Sequence, residues 1–235
     1  MKVCSLILAR SGSKGLKNKN ILNVAGKPLI QYTIDASLKS KNVDRTIVST
    51  DSSAIADLAI SLGAEAPFLR SEDVSNDAAT SESALKYSLE WLEKNEGYHP
   101  DIIVYLQITD LFRTTDMIDK CVNLLRSDNS LDSVFMAHVT HKNFWIKRNN
   151  KFVPINDSFN NHDPRQSKTP VYREDTGIAL ATRSSVIRSG RRIGENVEII
   201  PYESDTHFVD IHSQFDLDLA EILIKSLNKE PNKKI

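Results

Sequence analysis

The amino-terminal part of the chain alternates between short apolar runs and longer segments whose apolar residues recur at helical spacing. The runs VCSLILA (3–9), TIVST (46–50), DIIVYLQ (101–107) and SVFMAHV (133–139) have the composition of strands buried on both faces. The helical periodicity falls at 28–40, 53–63, 79–95 and 114–127. This alternation predicts an α/β fold with a doubly wound, mostly parallel sheet.

A sheet of this kind restricts where a ligand can bind, because its crevice lies beyond the carboxyl ends of the strands. Residues 10–20, 49–52 and 107–113 each follow one of the predicted strands and therefore belong to that crevice. Asp51 ends the second predicted strand, and two roles are open for it. It could cap the following helix or contact a ligand.

The carboxy-terminal part departs from this pattern. Residues at about 140–171 are polar and broken by proline and asparagine, with a hairpin-like KRNNKF turn, and we interpret them as a segment that protrudes from the sheet. The aromatics of this segment, Phe144, Trp145 and Phe152, could form a dimer surface or pack within the hairpin itself. A returning strand at 177–183 and a closing helix at 213–229 complete one predicted domain over residues 1–235.

Composition excludes several classes of protein. The formal net charge of −1 gives no basic field for nucleic acid, and no apolar run approaches the ~18 residues that a membrane span needs. Cys4 and Cys121 lie in apolar stretches without paired spacing, which indicates buried, reduced thiols. We therefore expect a cytoplasmic protein that binds neither nucleic acid nor membranes.

The loop ARSGSKGLKNKN, directly after the first strand, is both glycine-containing and basic. Gly12 and Gly15 would let backbone N–H groups converge, while Arg10, Lys14 and Lys19 supply fixed positive charge. The spacing matches neither the Walker phosphate loop nor the dinucleotide-binding glycine pattern. We predict that this loop binds a triphosphate.

This loop and the following GKPLIQYTIDAS resemble the amino-terminal signature of the acylneuraminate-type cytidylyltransferases, the CMP–sialic acid synthetases and their relatives. Further matches keep the family's order, at 44–70, 77–92, 106–114, 164–174 and 209–221. The resemblance implies a Rossmann-like fold of the nucleotide-diphospho-sugar transferase type. It also implies CMP transfer from CTP to a small acidic acceptor with release of pyrophosphate, Mg²⁺ as cofactor, and a homodimer whose protruding segment reaches the neighbouring active site. A nonulosonic, sialic- or legionaminic-like sugar acid is the acceptor that we expect.

The resemblance also implies which residues form the site. The expected catalytic residues are Arg10, Lys14 and Lys19. The expected nucleotide-binding residues are Ala9, Arg10, Ser11, Gly12, Ser13, Lys14, Asn20, Arg70, Ser81 and Gln107. The expected acceptor-binding residues are Gln107, Arg165 and Arg173, and the expected metal ligand is Asp210. Cations at these positions suit the reaction, because negative charge develops on the transferred phosphorus and on the departing pyrophosphate.

The chain departs from the family in three motifs. QITDLFR (107–113) lacks two prolines and carries Asp110, YREDTG (172–177) replaces YRENGA, and DIHS (210–213) carries His212 in place of an aspartate. Imidazole is a poor Mg²⁺ ligand. Either His212 does not bind the metal and Asp210 suffices with the CTP phosphates, or Asp110 supplies a second carboxylate. Asp110 could also be an ordinary residue at a helix amino terminus.

The departures leave other functions open. A small phosphonate could replace the sugar acid, a guanylyltransferase acting on a sugar phosphate could share the fold, and the chain could be a non-catalytic nucleotide-binding relative. The ketodeoxyoctonate branch of the family is disfavoured, because Ala25 stands where that branch has an arginine.

Overall fold

The computed structural model describes residues 1–12, 15–155, 168–204, 206 and 209–229. The strands are β1 Val3–Ala9, β2 Asn23–Val24, β3 Lys27–Pro28, β4 Arg45–Thr50, β5 Ile102–Leu106, β6 Ser133–Thr140, β7 Trp145–Arg148, β8 Lys151–Pro154, β9 Val171–Glu174, β10 Leu180–Arg183 and β11 Val197–Tyr202. The helices are α1 Leu29–Leu38, α2 Ser53–Ser61, α3 Ser81–Glu96, α4 Thr115–Ser127, α5 Ser184–Arg188 and α6 Gln214–Lys229.

Seven strands form the main sheet, in the order β11-β6-β10-β5-β1-β4, with β9 paired to the end of β6. β1 pairs in parallel with β4 and β5, and β6 pairs in parallel with β11. β10 runs antiparallel between β5 and β6, and β9 is also antiparallel to β6. The predicted mostly parallel α/β sheet is confirmed, with β10 as an antiparallel insertion in its middle.

The central strands are buried on both faces, which explains their continuous apolar runs. In β1, Val3 and Ile7 join a core that also contains buried residues of α1, α2 and α4, whereas Cys4 and Leu6 pack on the opposite face with α3. Both cysteines are buried free thiols, as predicted. No helix among the described residues is long and apolar enough to cross a membrane.

Side-chain caps fix where three helices begin. The hydroxyl oxygens of Ser52, Thr80 and Thr114 accept hydrogen bonds from the third residue beyond each of them, at the starts of α2, α3 and α4. The predicted helices are confirmed with slightly different ends. The predicted strand at 177–183 begins only at Leu180, because a turn closed by a hydrogen bond from Ile178 N to Asp175 O precedes it. The sequence did not predict β2, β3, β9, α5 or β11.

The predicted KRNNKF hairpin is confirmed as a separate two-stranded sheet of β7 and β8. Asn149 and Asn150 have φ angles of 48° and 60°, and two consecutive left-handed residues are what a tight hairpin turn requires. Phe144, Trp145 and Phe152 are 39%, 50% and 69% exposed on the single chain, so they do not form a buried cluster of their own.

Candidate active site

A cavity of about 410 Å³ opens at the carboxyl ends of β1 and β5, where the sheet topology predicts a ligand site. Its lining combines the loop after β1, the segment before α3, the end of β5 and the segment before α6. Residues named from the sequence make up much of it: Arg10, Lys19, Asn20, Arg70, Ser81, Gln107 and His212. Ala9 is buried at the end of β1, below the cavity loop. Ser13 and Lys14 lie outside the described residues.

Asp51 holds the beginning of the basic loop. Its two carboxylate oxygens accept hydrogen bonds from the backbone N–H and the hydroxyl of Ser11, both at 2.7 Å. Ser52, and not Asp51, is the residue whose side chain caps α2. The helix-capping role left open for Asp51 is therefore wrong, and its carboxylate instead orders the loop after β1 at the edge of the crevice.

Two further contacts fix the same loop from other directions. The guanidinium of Arg10 forms an ion pair with Asp77 at 2.8 Å, which ties the loop to the segment before α3. The buried Asn20 donates from its side-chain nitrogen to the backbone carbonyl of Arg10 at 2.9 Å. Gly12, by contrast, is exposed, and a Cβ built there would meet nothing within 4 Å.

The loop after β1 meets the segment before α6, nearly 200 residues later in the chain. Lys19 donates from Nζ to the backbone carbonyl of Ile211 at 2.8 Å, and burial lowers the pKa of Lys19 while Asp210 opposes that shift. Gly15 lies so close to the backbone carbonyl of His212 that a Cβ would overlap it. Glycine is therefore required at position 15 for this close approach.

Arg70 is a buried arginine in the wall of the cavity. Its backbone N–H donates to the carbonyl of Thr50 at 2.7 Å, which joins it to the end of β4. Burial lowers the pKa of the guanidinium, and the negative charge of Asp51 opposes the shift. Its Nε has no hydrogen-bond acceptor among the described residues. An unsatisfied buried donor of this kind costs about 1–3 kcal/mol, so an oxygen of a bound ligand would relieve a real penalty.

The two remaining residues that we expect to bind nucleotide, Ser81 and Gln107, come from α3 and from the end of β5. The hydroxyl of the buried Tyr105 donates to Ser81 Oγ at 3.4 Å, which connects the first residue of α3 to the sheet. Gln107 follows β5 directly, and its backbone N–H donates to the carbonyl of Gly177 at 2.8 Å. The side chain of Gln107 lines the cavity.

Asp110 is three residues after Gln107, and both side chains lie against Gly177. Burial raises the pKa of Asp110 to about 6, the neighbouring Arg113 opposes that rise, and Asp210 adds to it. Because α4 begins at Thr115, Asp110 is outside its first turn, and the helix-terminus interpretation is wrong. A Cβ at Gly177 would overlap both Gln107 Oε1 and Asp110 Oδ2. Two of the motif departures, Asp110 and Gly177, are thus in direct contact.

One of the expected acceptor-binding residues, Arg173, lies at a separate cavity of about 710 Å³ at the end of β6. Arg173 lies on β9 in the wall of this cavity and forms a two-pronged ion pair with Asp175, at 3.0 and 2.9 Å. The hydroxyl of Tyr202 donates to the same carboxylate at 2.6 Å, and burial raises the pKa of Tyr202. Other residues of this cavity are His138, Thr140, His141, Lys142, Lys168 and Glu203. Arg165 lies outside the described residues.

The candidate metal ligand lies in an exposed segment that a helix cap holds in place. Asp216 accepts hydrogen bonds from the backbone N–H groups of His212 and Ser213, at 2.9 and 2.7 Å, at the start of α6. The imidazole Nε2 of His212 is 2.9 Å from Asp210 Oδ2. Within the described ranges, no group of three His, Cys, Asp or Glu side chains is arranged to hold a metal ion. Protein side chains alone therefore do not complete a metal site in this part of the chain.

Sequence reasoning missed three residues that organise the site and left the role of Asp51 open. Arg113 and Asp175 lie inside two of the three motifs that depart from the family, so the departures themselves were the available signal. Tyr202 had no signal, because β11 was not predicted.

Comparison with known proteins gives consistent matches over the whole chain. The sequence pattern of the cytidylyltransferase family matches residues 4–225. The chain is 30% identical over 234 residues to the CMP-N,N'-diacetyllegionaminic acid synthase of Legionella pneumophila, covering 98% of this chain and 99% of that protein. It is 28% identical to a pseudaminic acid cytidylyltransferase of Campylobacter jejuni, covering 96% of this chain and 97% of that protein.

Two further matches extend the comparison. The chain is 30% identical to the N-acylneuraminate cytidylyltransferase of Escherichia coli over 97% of its own length, but it spans only 54% of that longer protein. A solved structure of CMP:2-keto-3-deoxy-manno-octonic acid synthetase, complexed with CTP, superposes with a TM-score of 0.74 at 17% identity and covers 96% of this chain and 99% of that one. This structural likeness shows the fold.

Proposed function

The chain belongs to the cytidylyltransferase family, and we propose that it transfers CMP from CTP to a nonulosonic acid of the legionaminic, pseudaminic or sialic type, releasing pyrophosphate. Sequence similarity to synthases of such CMP-sugars, at about 30% identity over the full length, supports the choice of acceptor. The observation that carries the proposal is the convergence of cationic and amide side chains from three distant segments on one cavity of about 410 Å³. That volume suits a nucleotide-sized ligand.

The donor side of the proposal assigns CTP to this cavity. Arg10 and Lys19 supply positive charge where the triphosphate would lie, and stabilise the charge that develops on the transferred phosphorus and on pyrophosphate. Arg70 contributes a buried guanidinium whose Nε can donate to an oxygen of the nucleoside. Asp51, Asp77 and the carbonyl of Ile211 hold the loop before CTP arrives, so less ordering entropy is lost on binding.

Mg²⁺ belongs to the proposal as the cofactor, and the residues present fit it. Mg²⁺ is commonly held by one or two carboxylates together with substrate phosphates, and an exposed Asp210 beside Lys19 provides one such carboxylate. His212 makes its 2.9 Å contact with Asp210 through its ring nitrogen, which favours a role in orienting that carboxylate. Asp110 remains the candidate second carboxylate, because the charge of Asp210 contributes to the raised pKa of Asp110. When bound, the ion would neutralise phosphate charge.

The acceptor side of the proposal uses the second cavity. Lys142, Lys168 and Arg173 bring positive charge to its wall, which suits the carboxylate of a sugar acid. Glu203 and the hydroxyl of Ser204 add polar groups for a ligand rich in hydroxyls. Gln107, at the end of β5, is the residue that we assign to both substrates.

A homodimer is also part of the proposal. The β7–β8 hairpin projects exposed Trp145 and Phe152, and Ile155 beyond it is 55% exposed, which is a large apolar area for a short two-stranded sheet. Light scattering on the purified chain should give twice the mass of 26.4 kDa, and Phe152→Asp should shift it toward a single chain. A single-chain mass for the wild-type protein at working concentration would contradict the dimer.

The function is tested by pyrophosphate release with each of CTP, UTP, GTP and ATP, against a panel of nonulosonic acids, ketodeoxyoctonate, sugar phosphates and small phosphonates. We expect release with CTP and a nonulosonic acid, abolished by EDTA and by Arg10→Met. Release only with phosphonates would move the proposal to that acceptor class. Release only with GTP and a sugar phosphate would make the chain a guanylyltransferase, and CTP binding without any release would favour the non-catalytic interpretation.

A further inference from the structure

Arg113 is a buried arginine in the loop between β5 and α4, at the end of the QITDLFR motif. Its guanidinium donates from Nε to the carbonyl of Ile178 and from Nη1 to Thr33 Oγ1 at 2.9 Å. Its Nη2 donates to two further backbone carbonyls, those of Gln107 at 2.6 Å and Gly177 at 2.5 Å. Burial lowers the pKa of Arg113 to about 10, which still leaves it charged at neutral pH.

The partners of this one side chain belong to three separate elements. Thr33 lies on α1, Gln107 follows β5, and Gly177 and Ile178 precede β10. The hydrogen bond from Gln107 N to Gly177 O, at 2.8 Å, joins two of these elements directly. We call this contact between the backbones of Gln107 and Gly177 the junction. The planar guanidinium of Arg113 donates to the carbonyls of both residues, so the backbone of Gln107 is held through both its N–H and its carbonyl.

This junction determines where the side chain of Gln107 can lie. Gly177 approaches Gln107 Oε1 and Asp110 Oδ2 so closely that even a methyl group does not fit between them. A shift of the Gly177 backbone therefore moves or releases the Gln107 side chain in the cavity wall. Arg113 itself does not line that cavity; it lines a small pocket behind it, with Asp110 and Tyr202.

A fully buried guanidinium is expensive unless all its donors are satisfied. The hydrogen bonds recorded for Arg113 go to three backbone carbonyls and one hydroxyl, and none goes to a carboxylate of a described residue. An ammonium group cannot reproduce this planar fork from one position. The arrangement therefore specifies backbone geometry at Gln107 and Gly177 more than it neutralises a charge.

We propose that Arg113 is a positioning residue for CMP transfer: it holds the Gln107 and Gly177 backbones together and so fixes the Gln107 side chain between the two substrates, without touching either. The proposal rests on the proposed function for the role of Gln107. It predicts that Arg113 variants lose turnover more than CTP affinity, because the phosphate-binding loop around Arg10 and Lys19 shares no contact with the junction among the recorded hydrogen bonds.

The experiment compares Arg113→Lys with Arg183→Lys. Arg183 is a matched control, because it also donates to three backbone carbonyls, those of Leu131, Leu125 and Asp128, but lies at the opposite end of the sheet. Both variants should lose thermal stability. At a temperature where both are folded, Arg113→Lys should lose about 10- to 100-fold in kcat with the KM for CTP changed less than about threefold, whereas Arg183→Lys should keep wild-type kinetics.

Chemical rescue and hydrogen exchange separate positioning from general destabilisation. Added ethylguanidinium, but not ethylammonium, should restore part of the kcat of Arg113→Ala. The amide of Gln107 should exchange faster in Arg113→Lys and at the wild-type rate in Arg183→Lys. Wild-type kcat in Arg113→Lys, or equal losses of kcat in the two lysine variants, would overturn the proposal.

These measurements also distinguish a failure of the proposed function from a failure of the positioning role of Arg113. If the wild-type protein transfers no CMP to any acceptor, the proposed function fails. The exchange rate of the Gln107 amide then still tests whether Arg113 holds the Gln107 and Gly177 backbones together, and an unchanged rate in Arg113→Lys would refute that role. Should Arg113→Lys not fold, Thr33→Val removes the acceptor of Nη1 together with the long hydrogen bond, at 3.4 Å, from the Thr33 hydroxyl to the Gln107 carbonyl. It should then show a smaller loss in kcat, again with the KM for CTP retained, and an unchanged kcat would count against the proposal.

Discussion

Removal of the Asp51 carboxylate should weaken CTP binding without Asp51 itself touching the nucleotide. Both oxygens of this carboxylate accept hydrogen bonds from Ser11, one from the backbone N–H and one from the hydroxyl, each at 2.7 Å. In Asp51→Ala the start of the basic loop loses both restraints. The loop must then be ordered at the expense of binding energy when CTP enters.

The magnitude follows from the geometry. A hydrogen bond to a charged group contributes about 1.5–3 kcal/mol, but Ser11 is exposed and Asp51 only half-buried, so solvent competes for both bonds. We therefore expect a total loss of about 1–2 kcal/mol, which corresponds to about 5- to 30-fold in kcat/KM for CTP. A second consequence acts in the same direction, because Asp51 favours the charged form of the buried Arg70.

Steady-state kinetics with CTP varied at saturating acceptor measure this loss. Ser11→Ala removes only the hydroxyl donor and keeps the backbone bond, so it should show about half the free-energy effect of Asp51→Ala. Asp51→Asn keeps one acceptor oxygen and should fall between the two. A KM for CTP and a CTP-induced thermal shift in Asp51→Ala equal to those of the wild-type protein would refute the reasoning.

Three further predictions address other parts of the molecule. Lys19→Met removes a cation that is held by the Ile211 carbonyl, and kcat should fall about 10²- to 10³-fold in pyrophosphate-release assays; a loss below threefold would exclude Lys19 from the reaction. Gly177→Ala should lower kcat, because its methyl group overlaps the side chains of Gln107 and Asp110; a wild-type kcat in the same assay would show that the overlap is relieved without displacing Gln107. The pKa of Asp132 is lowered by hydrogen bonds from the backbone N–H groups of residues 196 and 195, so its stabilisation is present above the ordinary aspartate pKa of about 4 and is lost as pH falls through the folded-state value. The difference in urea midpoint between the wild-type protein and Asp132→Asn should accordingly shrink from pH 7 to pH 3, and a constant difference would contradict that assignment.

The sequence predicted the fold most reliably where burial dominates. β1, β4, β5 and β6 are continuous apolar runs, because a central strand covered on both faces has no polar side to interrupt the pattern. The helices carry cap residues that are readable in the sequence, such as Thr114. These local signals are sufficient to place the crevice and the basic loop within it.

The elements that were missed lack such signals. β9 and β11 lie toward the edge of the sheet with mostly exposed or half-buried residues, so their patterns are weak. β9 and β10 pair with β6 in the same antiparallel direction, and the turn at Asp175–Ile178 that separates them depends on tertiary contacts, among them the Tyr202 hydroxyl on Asp175. No window of sequence around residue 175 contains Tyr202, so this part of the site could not have been derived locally.

Long-range contacts also explain what could not be read from the site motifs. Gly15 was predicted to free backbone N–H groups for phosphate, but the structure also shows a close approach to the carbonyl of His212. Arg113 was noted only as the last residue of a divergent motif, although its side chain joins α1, the end of β5 and the segment before β10. Such roles depend on tertiary contacts between distant segments, and these contacts cannot be predicted from a single sequence.

Product analysis tests the central claim most directly. The purified chain should be incubated with CTP, Mg²⁺ and N,N'-diacetyllegionaminic, pseudaminic or N-acetylneuraminic acid, and the mixture resolved by mass spectrometry while pyrophosphate is quantified. We predict a CMP-linked nonulosonic acid formed in equal amount with pyrophosphate, with CTP strongly preferred over UTP, GTP and ATP. Absence of any CMP-linked acid with all three acceptors, or an equal yield from another nucleotide, would contradict the account.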